Sequence, residues 1–293
     1  MADGGGLDAA LLQRLERLNL ATRRRAVGLG AGDRRSVHRG ASLDFADYRA
    51  YTPGDQPERV DWNIYSRSGS LFVKQYDDEQ LLTVYLLLDS SPSMDWGEPN
   101  KLAYARRLIG ALGYIALSGH SRLFASSLGE RLVSSFGPAW GRGQWHGLQS
   151  FLNNAASTEG TDLDRALGAH VRGATQPGLA ILVSDLLTPH WERGVKMLLA
   201  RRYEIVLLHL LAPQEVRPEI SGDLELRDRE SGERIDVTLT QDALDQYQER
   251  YRAWCRHLES FSARYGLLYQ RIETSDPLDR VLFTTLRTRG VLR

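Results

Sequence analysis

Five oxygen-bearing side chains stand at points along this chain where a fold of alternating strands and helices gathers its ligands. Asp89, Ser91 and Ser93 lie at i, i+2 and i+4 in the run Asp89-Ser90-Ser91-Pro92-Ser93. Thr161 sits in Gly160-Thr161-Asp162, and Asp185 follows Ser184. Two carboxylates and three hydroxyls make an all-oxygen set suited to a hard divalent cation. Mg²⁺ fits best, because it keeps several waters and takes only one or two carboxylates; Mn²⁺ and Ca²⁺ are the alternatives. No histidine or cysteine accompanies the set, which disfavours zinc and copper. Taken singly, each piece has a plainer explanation. An Asp with serines after a strand is ordinarily a cap or turn residue. Gly160-Thr161-Asp162 alone reads as a helix start, and Asp185 alone as a loop acid. The metal reading rests on the three together, in this order and after the right elements.

Those elements follow from the apolar pattern. Residues 81–88 are a nearly continuous apolar run, as in a strand buried on both faces of a parallel sheet, and 178–183 and 203–211 read the same way. Helical spacing covers 100–118, 144–154, 162–172, 191–200 and 242–264. Short strands are expected at 122–126, 131–134 and 267–272, and a closing helix at 277–287. Glu230-Ser231-Gly232-Glu233 between two alternating stretches predicts a hairpin over 224–237. The expected class is therefore α/β, a doubly wound, mostly parallel sheet, preceded by a small N-terminal β or irregular segment. In such sheets ligands sit beyond the carboxyl ends of the strands, where Asp89 and Asp185 fall. The expected organisation is a helix and flexible basic connector over 1–38, a segment over 39–80 packing on the main domain, and the main domain over 81–293.

Composition removes several classes. The 293 residues carry 37 Lys+Arg and 37 Asp+Glu, so no net positive field points to nucleic acid. One cysteine, Cys255, excludes an internal disulfide and any multi-cysteine metal site. No apolar run approaches the roughly 18–20 residues of a membrane span, and the start lacks a basic-then-apolar leader. The expected location is the cytoplasm. Gly28, Gly30 and Gly32 lack both a preceding strand and a following Gly-Lys-Ser/Thr, so a nucleotide loop is not expected.

The runs Leu86-Leu87-Leu88-Asp89-Ser90-Ser91-Pro92-Ser93-Met94, Gly160-Thr161-Asp162-Leu163 and Val183-Ser184-Asp185 resemble a von Willebrand factor A domain. Asp89, Ser91, Ser93, Thr161 and Asp185 each match its metal-ion-dependent adhesion site. Upstream, Arg39-Gly40, Asp44-Phe45, Arg49-x-Tyr51, Pro53-Gly54-Asp55 and Arg59-x-Asp61-Trp62 resemble the bacterial family catalogued as domain of unknown function fifty-eight. The resemblance covers about residues 39–287. It implies a partner of MoxR-type AAA+ ATPases that docks proteins through a bound ion. Neutral hydroxyl ligands leave positive charge on such an ion, which favours an Asp or Glu from a partner.

The upstream block offers a second candidate surface. Arg49, Asp55, Arg59 and Asp61 alternate in sign and end at Trp62. An ion-paired structural flap is the plainer account, and a partner-recognition face the functional one. Three functions follow as expectations. The first is a metal-dependent interaction module, an adaptor or cochaperone in complex assembly or maturation. The second is a Mg²⁺-dependent hydrolase or phosphoryl-transfer enzyme, for which no nucleophile, general base or phosphate-binding lysine is evident. The third is a scaffold in which an ion only stabilises loops.

Overall fold

The computed structural model describes residues 7–22, 44–52, 60–77, 82–158, 160–174, 176–218, 222–227 and 234–293. They fall into two compact units, residues 44–77 in one and residues 7–22 with 82–293 in the other. The expected basic connector of residues 23–38 lies outside the described residues.

The first helix, α1 (Ala9–Leu15), begins at Asp8, whose carboxylate accepts from Leu11 N at 2.6 Å. Leu11, Leu15, Leu18 and Leu20 are buried in the core of the larger unit, and Leu20 forms an isolated antiparallel bridge to Leu292. In the smaller unit β1 (Asp44–Ala50) pairs antiparallel with β2 (Phe72–Asp77), with helix α2 (Trp62–Ser68) between them. That helix was not expected, because none of its residues is buried and no apolar stripe announces it. Its cues are its ends. Asp61 accepts from Asn63 N and Ile64 N, and Gly69 stops it at φ 67°.

The larger unit alternates strands and helices in the expected order. Its elements are β3 (Thr83–Asp89), α3 (Lys101–Ser118), β4 (Arg122–Leu128), β5 (Leu132–Ala139), α4 (Trp145–Asn154), α5 (Leu163–Gly173), β6 (Leu179–Ser184), α6 (Trp191–Ala200), β7 (Glu204–Leu211), α7 (Pro213–Val216), β8 (Gly222–Arg227), β9 (Arg234–Leu239), α8 (Gln241–Tyr265) and β10 (Leu268–Glu273), followed by helical residues 278–288. Six strands form one sheet in the order β10-β7-β6-β3-β4-β5. All neighbours are parallel except β4 and β5. The three residues between β4 and β5 are too few for a crossover, so β5 returns antiparallel at the edge. β8 and β9 form the expected hairpin.

Every residue of β3 is buried. Side chains alternate across the sheet, so Val84, Leu86 and Leu88 enter one core with α3 and α4. Tyr85 and Leu87 enter the other with α5, α6 and α8. Helices thus cover both faces of a mostly parallel sheet, as an α/β chain requires. From β3 the chain builds outward through β4 and β5. From β6 it builds the other way through β7 and β10. The order therefore reverses between β3 and β6, and their carboxyl ends flank the crevice in which such sheets hold ligands.

Candidate functional site

Asp89 is the last residue of β3 and is fully buried. One carboxylate oxygen accepts from Ser91 N at 2.9 Å, folding the loop back on itself; the other accepts from Ser184 Oγ at the end of β6. Pro92 opens a short helical turn over Pro92–Met94. The turn brings the hydroxyls of Ser91 and Ser93 within 3.0 Å of each other. Ser90 points elsewhere, pairing its hydroxyl with Ser127 Oγ and Leu128 O at 2.8 Å each.

The loop before α5 is tied to this one. Thr158 donates to Ser90 O through its amide at 2.8 Å and its hydroxyl at 3.0 Å. Asp162 caps α5 by accepting from Arg165 N at 3.0 Å, so the plain account of that acid holds for it. Thr161 behaves differently. Its Oγ1 is buried and has no hydrogen-bond partner among the described residues. A buried hydroxyl left unpaired costs about 1–3 kcal/mol, so this oxygen stands ready for a partner of its own.

Asp185 follows β6 and is almost fully buried. Its Oδ1 accepts from Leu187 N at 3.1 Å, and its Oδ2 accepts from Lys101 Nζ at 2.8 Å. Lys101 is completely buried, and the same ammonium donates to Glu215 Oε1 at 2.5 Å. Glu215 in turn accepts from Ala212 N at 2.7 Å, closing the start of α7. Sequence reasoning missed Lys101, Glu215 and Ser184. A signal for Lys101 existed: it is the first residue of α3, after the Asn100 cap. A cation there opposes the helix dipole, which calls for carboxylates nearby.

The electrostatics follow from burial. Asp89 is pushed up to about 6, first by desolvation and then by the charge of Asp185, against hydrogen bonds from Ser184 and Ser91. Burial also raises Glu215, while Lys101 opposes that rise. Lys101 is itself held above the usual ammonium range, because the two carboxylates outweigh its desolvation. His209, next to Ser184 in the sheet register, is driven down to about 4 by burial and stays neutral; its Nδ1 lies 2.7 Å from Tyr269 OH. Of the three carboxylates, Asp89 and Asp185 are buried and Glu215 is partly buried, and the Lys101 ammonium bonds Asp185 and Glu215. Among the described residues no three His, Cys, Asp or Glu side chains are grouped to hold a metal, so an ion here would need the hydroxyls.

Of the second candidate surface, Asp61 and Trp62 are described. Asp61 is buried, caps α2 and accepts from Tyr48 OH at 3.0 Å. Trp62 is 59% exposed and meets Tyr65 edge to face. Arg49 lies in β1, in register with Val73. Asp55 and Arg59 lie outside the described residues.

Residues 47–256 match the model of the family described as "Protein of unknown function DUF58", and the chain belongs to that family. It is 28% identical to the uncharacterized protein Rv1480 of Mycobacterium tuberculosis, across 97% of this chain and 92% of that one. Among solved structures, it is similar to the conserved hypothetical protein BatB from Bacteroides thetaiotaomicron, at 16% identity and a TM-score of 0.44 over 71% of this chain and 98% of the other. It is also similar to an aerotolerance-related membrane protein from Bacteroides fragilis, at 18% identity and a TM-score of 0.43 over the same shares. The expected cytoplasmic location is corrected here, since a structural neighbour is named as a membrane protein. Among the described residues no helix is long and apolar enough to cross a membrane.

Proposed function

We propose that this member of the DUF58 family is a metal-dependent protein-docking module. Its larger unit would be a von Willebrand factor A-like domain, serving as adaptor or cochaperone for a MoxR-type AAA+ ATPase in protein-complex assembly or maturation. The observation that carries the reading is the charge count at the carboxyl ends of β3 and β6. Among the described residues, buried Asp89 and Asp185 and partly buried Glu215 against the Lys101 ammonium give a formal excess of two negative charges. A divalent cation would balance that excess. The donor chemistry agrees, being carboxylate and hydroxyl throughout.

Asp89, Asp185 and the hydroxyls of Ser91, Ser93 and Thr161 would hold the ion, with Mg²⁺ the best match. Thr161 Oγ1 would then gain the partner it lacks. When bound, the ion offers a Lewis-acidic position to a carboxylate from another protein. The chain's part is positioning: Ser184 and the Ser91 amide aim Asp89, and the Thr158–Ser90 bonds hold the two loops together. Leu187, two residues after Asp185 and 53% exposed, would give an arriving carboxylate an apolar neighbour. Arg49, Asp55, Arg59, Asp61 and Trp62 are proposed as a further partner-recognition face.

Calorimetric titration of Mg²⁺ and Mn²⁺ into the parent chain tests the first step. A saturable heat lost in Asp89→Asn is expected, and no heat with the parent would end the reading. Binding of an immobilised MoxR-type ATPase tests the second. The parent should bind and Asp89→Asn should not, and equal binding by both would reject metal-dependent docking.

A further inference from the structure

We infer that Lys101 is a resident cation that competes with an incoming divalent ion for Asp185 and so sets the affinity of the site. The inference rests on the ion reading above and goes past it, because Lys101 belongs to no part of the expected ligand set. Its ammonium, wholly buried, is shared between Asp185 Oδ2 at 2.8 Å and Glu215 Oε1 at 2.5 Å, with the Trp96 ring 5.9 Å away. Both oxygens of Asp185 are therefore engaged, one by Lys101 and one by Leu187 N. An ion bound through Asp185 meets a like charge on the far side of the same carboxylate, in surroundings that screen poorly.

Glu215 is what makes the competition adjustable. It gives the ammonium a second anchor when the bond to Asp185 weakens. Its own place is well held: its second oxygen accepts from Ala212 N, and its carbonyl accepts from Tyr247 OH at 2.8 Å. The loop before α3 is bound to the same turn, Glu98 and Gln214 exchanging hydrogen bonds at 3.2 and 2.8 Å. A shift of Lys101 from Asp185 toward Glu215 is thus felt by residues 212–217.

Opposite signs separate this from a purely structural lysine. Lys101→Met removes the competing cation and should tighten Mg²⁺ or Mn²⁺ binding by about tenfold or more. Glu215→Gln removes the second anchor and one negative charge, returning Lys101 to Asp185, and should weaken binding severalfold. Titration calorimetry on the parent and both variants reads these changes, with thermal melts to show that each is folded. Unchanged or weaker binding in folded Lys101→Met overturns the inference while leaving the ion reading intact. Should Lys101→Met fail to fold, Glu215→Gln decides: a severalfold loss supports the competition, and an unchanged affinity overturns it. A parent chain that binds no ion fails the ion reading first, and the inference with it.

Discussion

At the amino-terminal end of β3 and β6, Tyr85, His170 and Tyr203 pack ring against ring, with centroids 5.1 and 5.2 Å from Tyr85. Tyr85 OH donates to Gln176 O at 2.7 Å, and Gln176 Nε2 donates to Thr83 Oγ1 at 2.7 Å. No group in that cluster carries charge at neutral pH; burial drives His170 down to about 4. At the other end of the same strands lie Asp89, Asp185 and Lys101, as deeply buried but ionic, with the partly buried Glu215 bonded to Lys101. The backbone frame is the same and the burial is the same. The amino-terminal end meets the cost of burying polarity by staying neutral, whereas the carboxyl end bears carboxylate charge that Lys101 offsets only in part. The difference is one of charge and not of closure: His170 Nε2 and Tyr203 Oη are also buried without a hydrogen-bond partner among the described residues, but neither is ionised at neutral pH, so function is to be sought at the end whose buried groups stay charged.

Substitutions break this comparison in graded ways. The largest effect is expected from Lys101→Met without divalent ions, which strands the buried Asp185 and the partly buried Glu215. A loss of about 3–5 kcal/mol in denaturant unfolding is expected, and a change near zero would mean the cluster is less buried than described. Next, Asp89→Asn should stabilise the ion-free chain. Asp89 is raised from 3.8 to about 6 on folding, so its favourable share exists below the unfolded value and is lost as pH rises through about 6. At pH 7 the gain from the neutral amide should be on the order of 2–3 kcal/mol, and a loss of stability would show that the charge is already balanced.

The neutral end responds to acid with the opposite sign. His170 is lowered from 6.5 to about 4, so stability is full above 6.5 and declines as pH falls toward about 4. His170→Phe should remove about 2 kcal/mol of that decline. His209 supplies a similar decline at the carboxyl end, where Asp89 opposes it. Urea midpoints between pH 4 and 7 measure all of this, and equal acid sensitivity in parent and His170→Phe would refute the neutral-burial account. The smallest effect belongs to Tyr85→Phe, which frees Gln176 O for about 1 kcal/mol. A loss above about 3 kcal/mol would show the amino-terminal cluster to be a tighter network than its bonds suggest.

Much of the sheet was legible because each buried strand is a short apolar run with polar residues at its end. Residues 81–88, 178–183 and 203–211 all lie within one or two positions of β3, β6 and β7. Helix α2 was not legible, since helices without a buried face leave only caps as a signal. At the site, the acids and hydroxyls could be picked out by order and spacing. Glu215 could not, and the place of Lys101 in the first turn of α3 hinted at a carboxylate nearby without saying which. The two are far apart in sequence, each looks like an ordinary surface residue in its own helix, and only packing brings them together.

The order of apolar runs and turn residues along the chain by itself determined the α/β class, most of the larger unit's elements, and the fact that Asp89 ends one strand and Asp185 follows another. These properties depend on neighbours within a few residues. Tertiary structure alone decided that β3 and β6 lie side by side, that β5 runs antiparallel, and that the buried Lys101 bonds both Asp185 and Glu215. Charge balance in a buried space depends on every group that folding brings there, and that sum is not written in any local stretch of sequence.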